Sequence, residues 1–243
     1  MKAALNKILI LLVASTLTTS CMIDGLNRVS GNRNVTTEQR KVNENFTAIH
    51  AGNGIEVFIK QSNNTKVVVE ADENLQDHIR TEVENGVLRI YSKRNIWRAK
   101  SKRVYVSAKT ITGIKAASGS DVYSENTIES ETIDISTSSG ADAKITVSAT
   151  HVTSSASSGS DLKILGTSEN YSASASSGAS INAFQLESKN ATVKVSSGAD
   201  INVFASESLD AKASSGGDID YKGNPKRIRQ KASSGGSISG KNY

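Results

Sequence analysis

The chain has 243 residues, of which 37% are hydrophobic and only 5% aromatic; it carries one Pro, 18 Gly and a formal charge of +5. Those proportions exclude a Pro/Gly-rich disordered chain, and the aromatics are too few for a globular enzyme built around one thick core. The single cysteine, Cys21, excludes an intramolecular disulfide.

Residues 1–20 read as a signal peptide: Lys2 and Lys7 supply the charged start, Ile8 to Leu17 the apolar stretch, and Thr18-Thr19-Ser20 the small residues before a cleavage point. The apolar stretch is too short to span a bilayer. A lone cysteine directly after small residues, with Leu17 four positions ahead, resembles a bacterial lipobox, so Cys21 is expected to carry lipid; the plain alternative is an incidental cysteine. Acyl chains contribute about 0.8 kcal/mol per buried CH₂, so a multiply acylated cysteine anchors firmly. Removal of residues 1–20 leaves 27 basic against 24 acidic side chains, too even to argue for nucleic acid.

Residues 21–36 are polar and read as a tether after the lipidated cysteine. The fold is expected to begin near Val42 to Phe46, and residues 37–115 read as an N-terminal β region. Ile55, Val57 and Ile59 alternate with Glu56, Phe58 and Lys60, which predicts a strand, and Val67 to Val69 predict another. One short helical turn is expected between Glu70 and Ile79. Thr81 to Val83, Asn85-Gly86 and Val87 to Ile90 predict a hairpin, because Asn-Gly tolerates positive φ at both turn positions. Val104 to Val106 and Ile111 to Lys115 are further strands.

Residues 116–243 repeat. Marker glycines fall at Gly119, Gly140, Gly159, Gly178, Gly198, Gly216 and Gly235, spaced by 21, 19, 19, 20, 18 and 19 residues. Such a period is the signature of a solenoid. Three residues after each glycine stand Val122, Ala143, Leu162, Ile181, Ile201, Ile219 and Ile238; three before it stand Ala116, Thr137, Ala156, Ala175, Val195, Ala213 and Ala232. Spacing by two on both sides predicts strands with one face in and one out. The fold class is therefore all-β, a parallel β-solenoid with turns of about 19 residues. At roughly 4.8 Å per turn, seven turns make a rod about 30 Å long.

The order Phe46 to Ile49, Gly52-Asn53-Gly54-Ile55-Glu56-Val57, Val68 to Leu75, Thr81 to Val83 and Gly86-Val87-Leu88, closed by Gly223-Asn224-Pro225-Lys226, resembles the putative auto-transporter adhesin, head GIN domain family over about residues 37–243. The resemblance implies a right-handed parallel β-helix on a secreted or surface lipoprotein of Bacteroidota type. It implies no reaction, since the family's function is largely unassigned, and it supplies no site residues.

Three candidate features remain. Asp121, Asp142, Asp161, Asp200 and Asp218 stand two residues after a glycine, with Ser180 and Ser237 in the same column. If the turns stack, these carboxylates form a ladder of weak Ca²⁺ sites; the plain alternative is that they hydrogen-bond their own turns. The serines before the glycines lack a base: His50, His78 and His151 have no triad-like context, and seven equivalent serines argue for stacked hydroxyl bonds rather than catalysis. Trp97, with Arg94, Arg98 and Lys100 among a basic cluster from Lys93 to Arg103, fits contact with anionic glycans or lipid headgroups, against the plain alternative of a solvated edge guarded by charge. A second basic cluster runs from Lys222 to Lys231. No His, Cys or phosphate-binding motif marks a cofactor, so none beyond Ca²⁺ is expected.

The sequence thus predicts a non-enzymatic, outer-membrane lipid-anchored module that binds surface glycan or protein. A polysaccharide-cleaving β-helix and a purely structural envelope module are the alternatives.

Overall fold

The computed structural model describes residues 28–42 and 44–241. The signal peptide, Cys21 and the first part of the tether lie outside the described residues. The strands in chain order are β1 (Arg28–Ser30), β2 (Val35–Arg40), β3 (Ala48–Ala51), β4 (Glu56–Gln61), β5 (Lys66–Asp72), β6 (Ile79–Glu84), β7 (Val87–Ser92), β8 (Asn95–Arg98), β9 (Lys102–Ala108) and β10 (Gly113–Ala117). They continue as β11 (Asp121–Ser124), β12 (Ile128–Ser138), β13 (Asp142–Ser157), β14 (Asp161–Ala175), β15 (Ser180–Val195), β16 (Asp200–Phe204), β17 (Ser208–Ala213), β18 (Asp218–Lys222), β19 (Arg227–Ala232) and β20 (Ser237–Gly240). A 3-10 turn at Glu73–Leu75 stands where a short helical turn was expected.

The chain is a parallel β-solenoid. From β10 onward each coil pairs in parallel with the next, in the register that the glycine alignment predicts: Ile114 beside Ile135, Val152 beside Tyr171, Ile181 beside Ile201. The inward columns are buried. Ile133, Ile135, Ile145, Ile164, Val193 and Val203 are all fully inaccessible, because alternate residues of each strand point to one narrow core. Each full burial of such a side chain contributes about 1.5–3 kcal/mol.

The repeat reaches further back than residue 116. The strands β3 and β4 form one coil that lies between the coil of β7 and β9 and the coil of β10 and β11, since β3 pairs with both β7 and β10 and β4 with both β9 and β11. The chain therefore lays down its first coil, folds outward to add a second on one side, then crosses back to build the rest on the other. No structural break falls at residues 115–116, and β2–β7 and β9–β20 belong to one sheet of 18 strands. The antiparallel strands β2, β5 and β6 cover the open end of this first part, with buried Leu75 and Ile79 between them. The predicted hairpin of β6 and β7 is present. Residues 28–36 are not wholly tether: β1 and the start of β2 lie there, because β1 finds a parallel partner in β8, nearly 70 residues on.

The corners share one geometry. Ser118 and Gly119 have φ of 52° and 67°, and the Ser120 N–H donates to the Ala117 carbonyl at 3.2 Å. Positive φ at both central residues marks a type I′ turn. Asn53-Gly54 and Asn85-Gly86 adopt the same conformation, so the family-like Gly52-Asn53-Gly54 step is the first of these corners. The glycine serves φ, not space: at Gly119, Gly140 and Gly159 an added Cβ would meet nothing within 4 Å. The corners stack through the backbone rather than the expected serine hydroxyls. Each glycine N–H donates to the serine carbonyl of the following coil, from Gly54 to Ser118 at 3.0 Å through Gly216 to Ser234 at 3.2 Å.

Candidate functional site

Trp97 sits on β8, 57% exposed, and is one of two exposed large apolar side chains among the described residues. Its ring is covered on one face by the Arg28 guanidinium of β1, 4.6 Å from the centroid. Such a contact orients both groups and contributes about 0.5–1 kcal/mol at an exposed site. Around the pair lies a concavity of about 660 Å³ lined by Trp97, Arg98, Lys100, Lys102 and Arg33, with no acid in its lining. Of the expected contacts the structure brings together Trp97, Arg98 and Lys100; Arg94 lies in the turn before β8 and does not line the concavity. Arg103 leaves the cluster altogether, with Nε 3.0 Å from Glu56 and Nη1 3.6 Å from Glu70. Arg28 and Arg33 were missed in the sequence because they fall in the presumed tether; the β1–β8 pairing carries Arg28 here, and the Asp72 carboxylate holds the Arg33 backbone.

The buried carboxylate of Asp72 fixes the frame of this concavity. It accepts from the backbone N–H groups of Arg33 at 2.9 Å and of Lys100 and Ser101 at 3.0 Å each. Burial alone would raise the Asp72 carboxyl, but the N–H groups of Ser101, Arg33 and Lys100, together with the Lys100 charge, hold it below the ordinary carboxylate range.

The acidic column is in register. Glu56, Asp121, Asp142, Asp161, Ser180, Asp200, Asp218 and Ser237 follow one another across paired strands on the outer surface. Burial and then the charges of Asp142 and Glu56 raise the Asp121 carboxyl; burial and then Asp218 and Asp220 raise that of Asp200. The row is a line of side chains ~4.8 Å apart, its carboxylates interrupted at Ser180, whereas Ca²⁺ needs about 6–8 oxygens converging on a point. Among the described residues no three His, Cys, Asp or Glu groups come together to hold a metal. Among the described residues the carboxylates of this column do not bond their own turns. At two corners a serine one residue after the glycine bonds the turn: Ser120 and Ser160 accept from the N–H groups of Ala117 and Ser157 at 3.0 and 3.2 Å. Asp218 instead accepts from the Ser237 hydroxyl of the next coil at 2.8 Å.

Beside the acids, Tyr105, Phe58 and Tyr123 stack across three coils at 5.2 and 5.5 Å. The other side of the corner carries the opposite charge: Arg89, His50, Lys115, Ser136, Ser155, Ser174, Lys194, Lys212 and Lys231 form one outward row without an acid.

His50 shares a hollow of about 390 Å³ with Ser118, Arg89 and Tyr91. Burial, then Lys115 and Arg89, lower the His50 pKa, and no hydrogen bond joins its ring to Ser118. Tyr91 donates to Glu82 and Arg89 to Glu84, both at 2.8 Å, so these groups are already partnered. No helix of the described residues is long and apolar enough to cross a membrane.

A family model described as putative auto-transporter adhesin, head GIN domain, matches residues 45–225. No curated protein matches the chain. Among solved structures, a putative adhesin from Bacteroides fragilis NCTC 9343 is 21% identical with a TM-score of 0.80, covering 88% of this chain and 100% of its own. A putative lipid binding protein from Parabacteroides distasonis ATCC 8503 is 22% identical with a TM-score of 0.72, over 88% of this chain and 100% of its own. A putative adhesin from Parabacteroides merdae ATCC 43184 is 18% identical with a TM-score of 0.69, over 89% and 100%. At these identities the likeness is one of fold.

Proposed function

Because this chain belongs to the putative auto-transporter adhesin, head GIN domain family, we propose that it is a non-enzymatic cell-envelope lipoprotein whose solenoid binds a surface glycan or protein. The observation that carries this reading is the Trp97 concavity. An exposed indole backed by a guanidinium and framed by Arg33, Arg98, Lys100 and Lys102 is a place for an anionic group beside an apolar ring face. Names given to relatives, adhesin in two cases and lipid binding in a third, support binding of surface molecules in general. Lipid on Cys21 would hold the module at the outer membrane, with β1 only seven residues along the chain.

A second reading has one observation in its favour. Arg103 lies between Glu56 and Glu70, next to the Tyr105–Phe58 stack, and acids beside a basic residue suit polysaccharide cleavage. A glycan array read for both binding and product release separates the two. Binding without turnover, lost in Trp97→Ala, supports the module; product release abolished by Glu56→Gln defeats it. An array with no binder at all leaves the envelope-structural role. Separately, a Cys21→Ala protein that still partitions with membranes would remove the anchor.

A further inference from the structure

The outward row opposite the acids holds three lysines on its last three coils. Lys194 pairs in register with Lys212, and Lys212 with Lys231. Parallel pairing sets their stems ~4.8 Å apart, an arrangement that like charges disfavour. The sequence does little to relieve it. Lys212 has one carboxylate, Asp210, at the 4.0 Å limit of an ion pair, and among the described residues Lys194 and Lys231 have none. Elsewhere on this chain exposed cations that face acids do pair with them, as Lys189 does with Glu169 at 2.8 Å.

A second row runs alongside. Ser176, Ser196, Ser214 and Ser233 stand two residues beyond the lysine row on successive coils, and together the rows line a shallow groove of about 480 Å³. The floor between them is small: Ala175, Val195 and Ala213. None of these serine hydroxyls has a protein partner among the described residues. Each of the last three coils therefore offers one cation and one free hydroxyl at a fixed offset, and the Ser176 coil adds a hydroxyl beside Ser174.

We propose that this groove binds a linear acidic glycan, one carrying a carboxylate or sulfate along each successive sugar, laid along the solenoid axis. The cations meet the acid groups and the serines meet the sugar hydroxyls. The absence of any aromatic from the groove lining argues against a nucleic acid, which gains much of its single-strand affinity by stacking bases. The inference deepens the binding-module reading and rests on it only for the class of ligand.

The test uses the soluble protein from residue 22 onward with polygalacturonate as probe, and galacturonic acid monomer, neutral dextran and polyglutamate beside it. Polygalacturonate is expected to bind, weakening about tenfold or more between low and molar salt because exposed charges are screened. The monomer and dextran are expected not to bind, since affinity comes from several rungs engaged at once. Lys194→Gln/Lys212→Gln/Lys231→Gln should weaken binding at least about tenfold with an unchanged melt, because exposed substitutions seldom disturb folding. Lys144→Gln/Lys163→Gln, which removes charge from the acidic side, should change it less than about twofold. Equal loss in both variants, an unaffected triple variant, or equal binding of polyglutamate overturns the proposal. Binding abolished by Trp97→Ala but not by the triple variant overturns it too, while leaving the module's function standing.

Discussion

Two glycines of one coil are required for different reasons, and their alanine variants should differ accordingly. Gly159, at a Ser-Gly corner, has φ of 64° and open space around an added Cβ. Gly159→Ala meets only the left-handed strain of an L-residue, about 1–2 kcal/mol, offset by roughly 0.4–1 kcal/mol of lost freedom in the unfolded chain. The net cost is about 1 kcal/mol, and Gly159→Asn should cost less, since Asn tolerates that conformation. Gly166 has φ of 113°, and a Cβ there would fall on the carbonyl oxygen of Val147 in the preceding coil, with the Val147 carbonyl carbon at 2.9 Å and its nitrogen at 3.1 Å. Backbone cannot swing aside like a side chain, so β13 and β14 must separate, with a cost above about 4 kcal/mol. Urea denaturation of both variants, with the slope compared to wild type to detect partial unfolding of the array, measures the difference. Equal destabilisation by the two alanines would refute the distinction between a glycine needed for its φ and one needed for its missing side chain.

Tyr171 is wholly buried and shares a 2.8 Å hydrogen bond with Ser154, 1% exposed. Tyr171→Phe should cost about 1–3 kcal/mol by stranding the Ser154 hydroxyl, and adding Ser154→Ala should recover part of it; strictly additive losses in a double-mutant cycle would deny the coupling. Asp72 has a lowered pKa in the fold. Its contribution is therefore complete above the unfolded value near 3.9 and lost as pH falls through the folded one. Melts from pH 5 to pH 2 should show Asp72→Asn with a shallower acid loss than wild type, and parallel curves would remove the clamp. Millimolar Ca²⁺ should raise the melting temperature no more than an equal ionic strength of NaCl, because the acidic row is a line; a specific shift lost in Asp142→Asn would show a cage that the fold does not form at rest.

The repeat was legible because burial in a narrow core imposes a period on every coil: Val122, Leu162, Ile181 and Ile201 could be aligned by counting, and all are buried. The acid row was legible for the same reason. What escaped was whatever depends on contacts distant in sequence. Arg28 over Trp97 needs β1 to find β8, and no local pattern in Arg28–Ser30 announces it. The Asn53-Gly54 corner was hidden because Asn and Ser look unlike as side chains, though both were placed at positive φ. The insertion of the first coil between its two successors is a matter of pairing partners, about which the strands' own alternation says nothing. The basic groove escaped because the lysines were weighed as clusters along the chain, when the fold gathers them at intervals of 18 and 19 residues.

The outermost strand, β19, is exposed along its whole length and carries Arg227, Arg229 and Lys231 with Ile228 half uncovered. Three like charges on a bare edge discourage a second copy from adding itself there. Yet the corner of every coil offers a glycine N–H against which the serine carbonyl of the next coil can be laid. A gene that duplicated one 19-residue unit would thus lengthen the molecule by one rung, with an acid on one flank, a cation and a hydroxyl on the other, and no change to the core. Coil number then acts as a ruler that sets how many rungs the outer faces present.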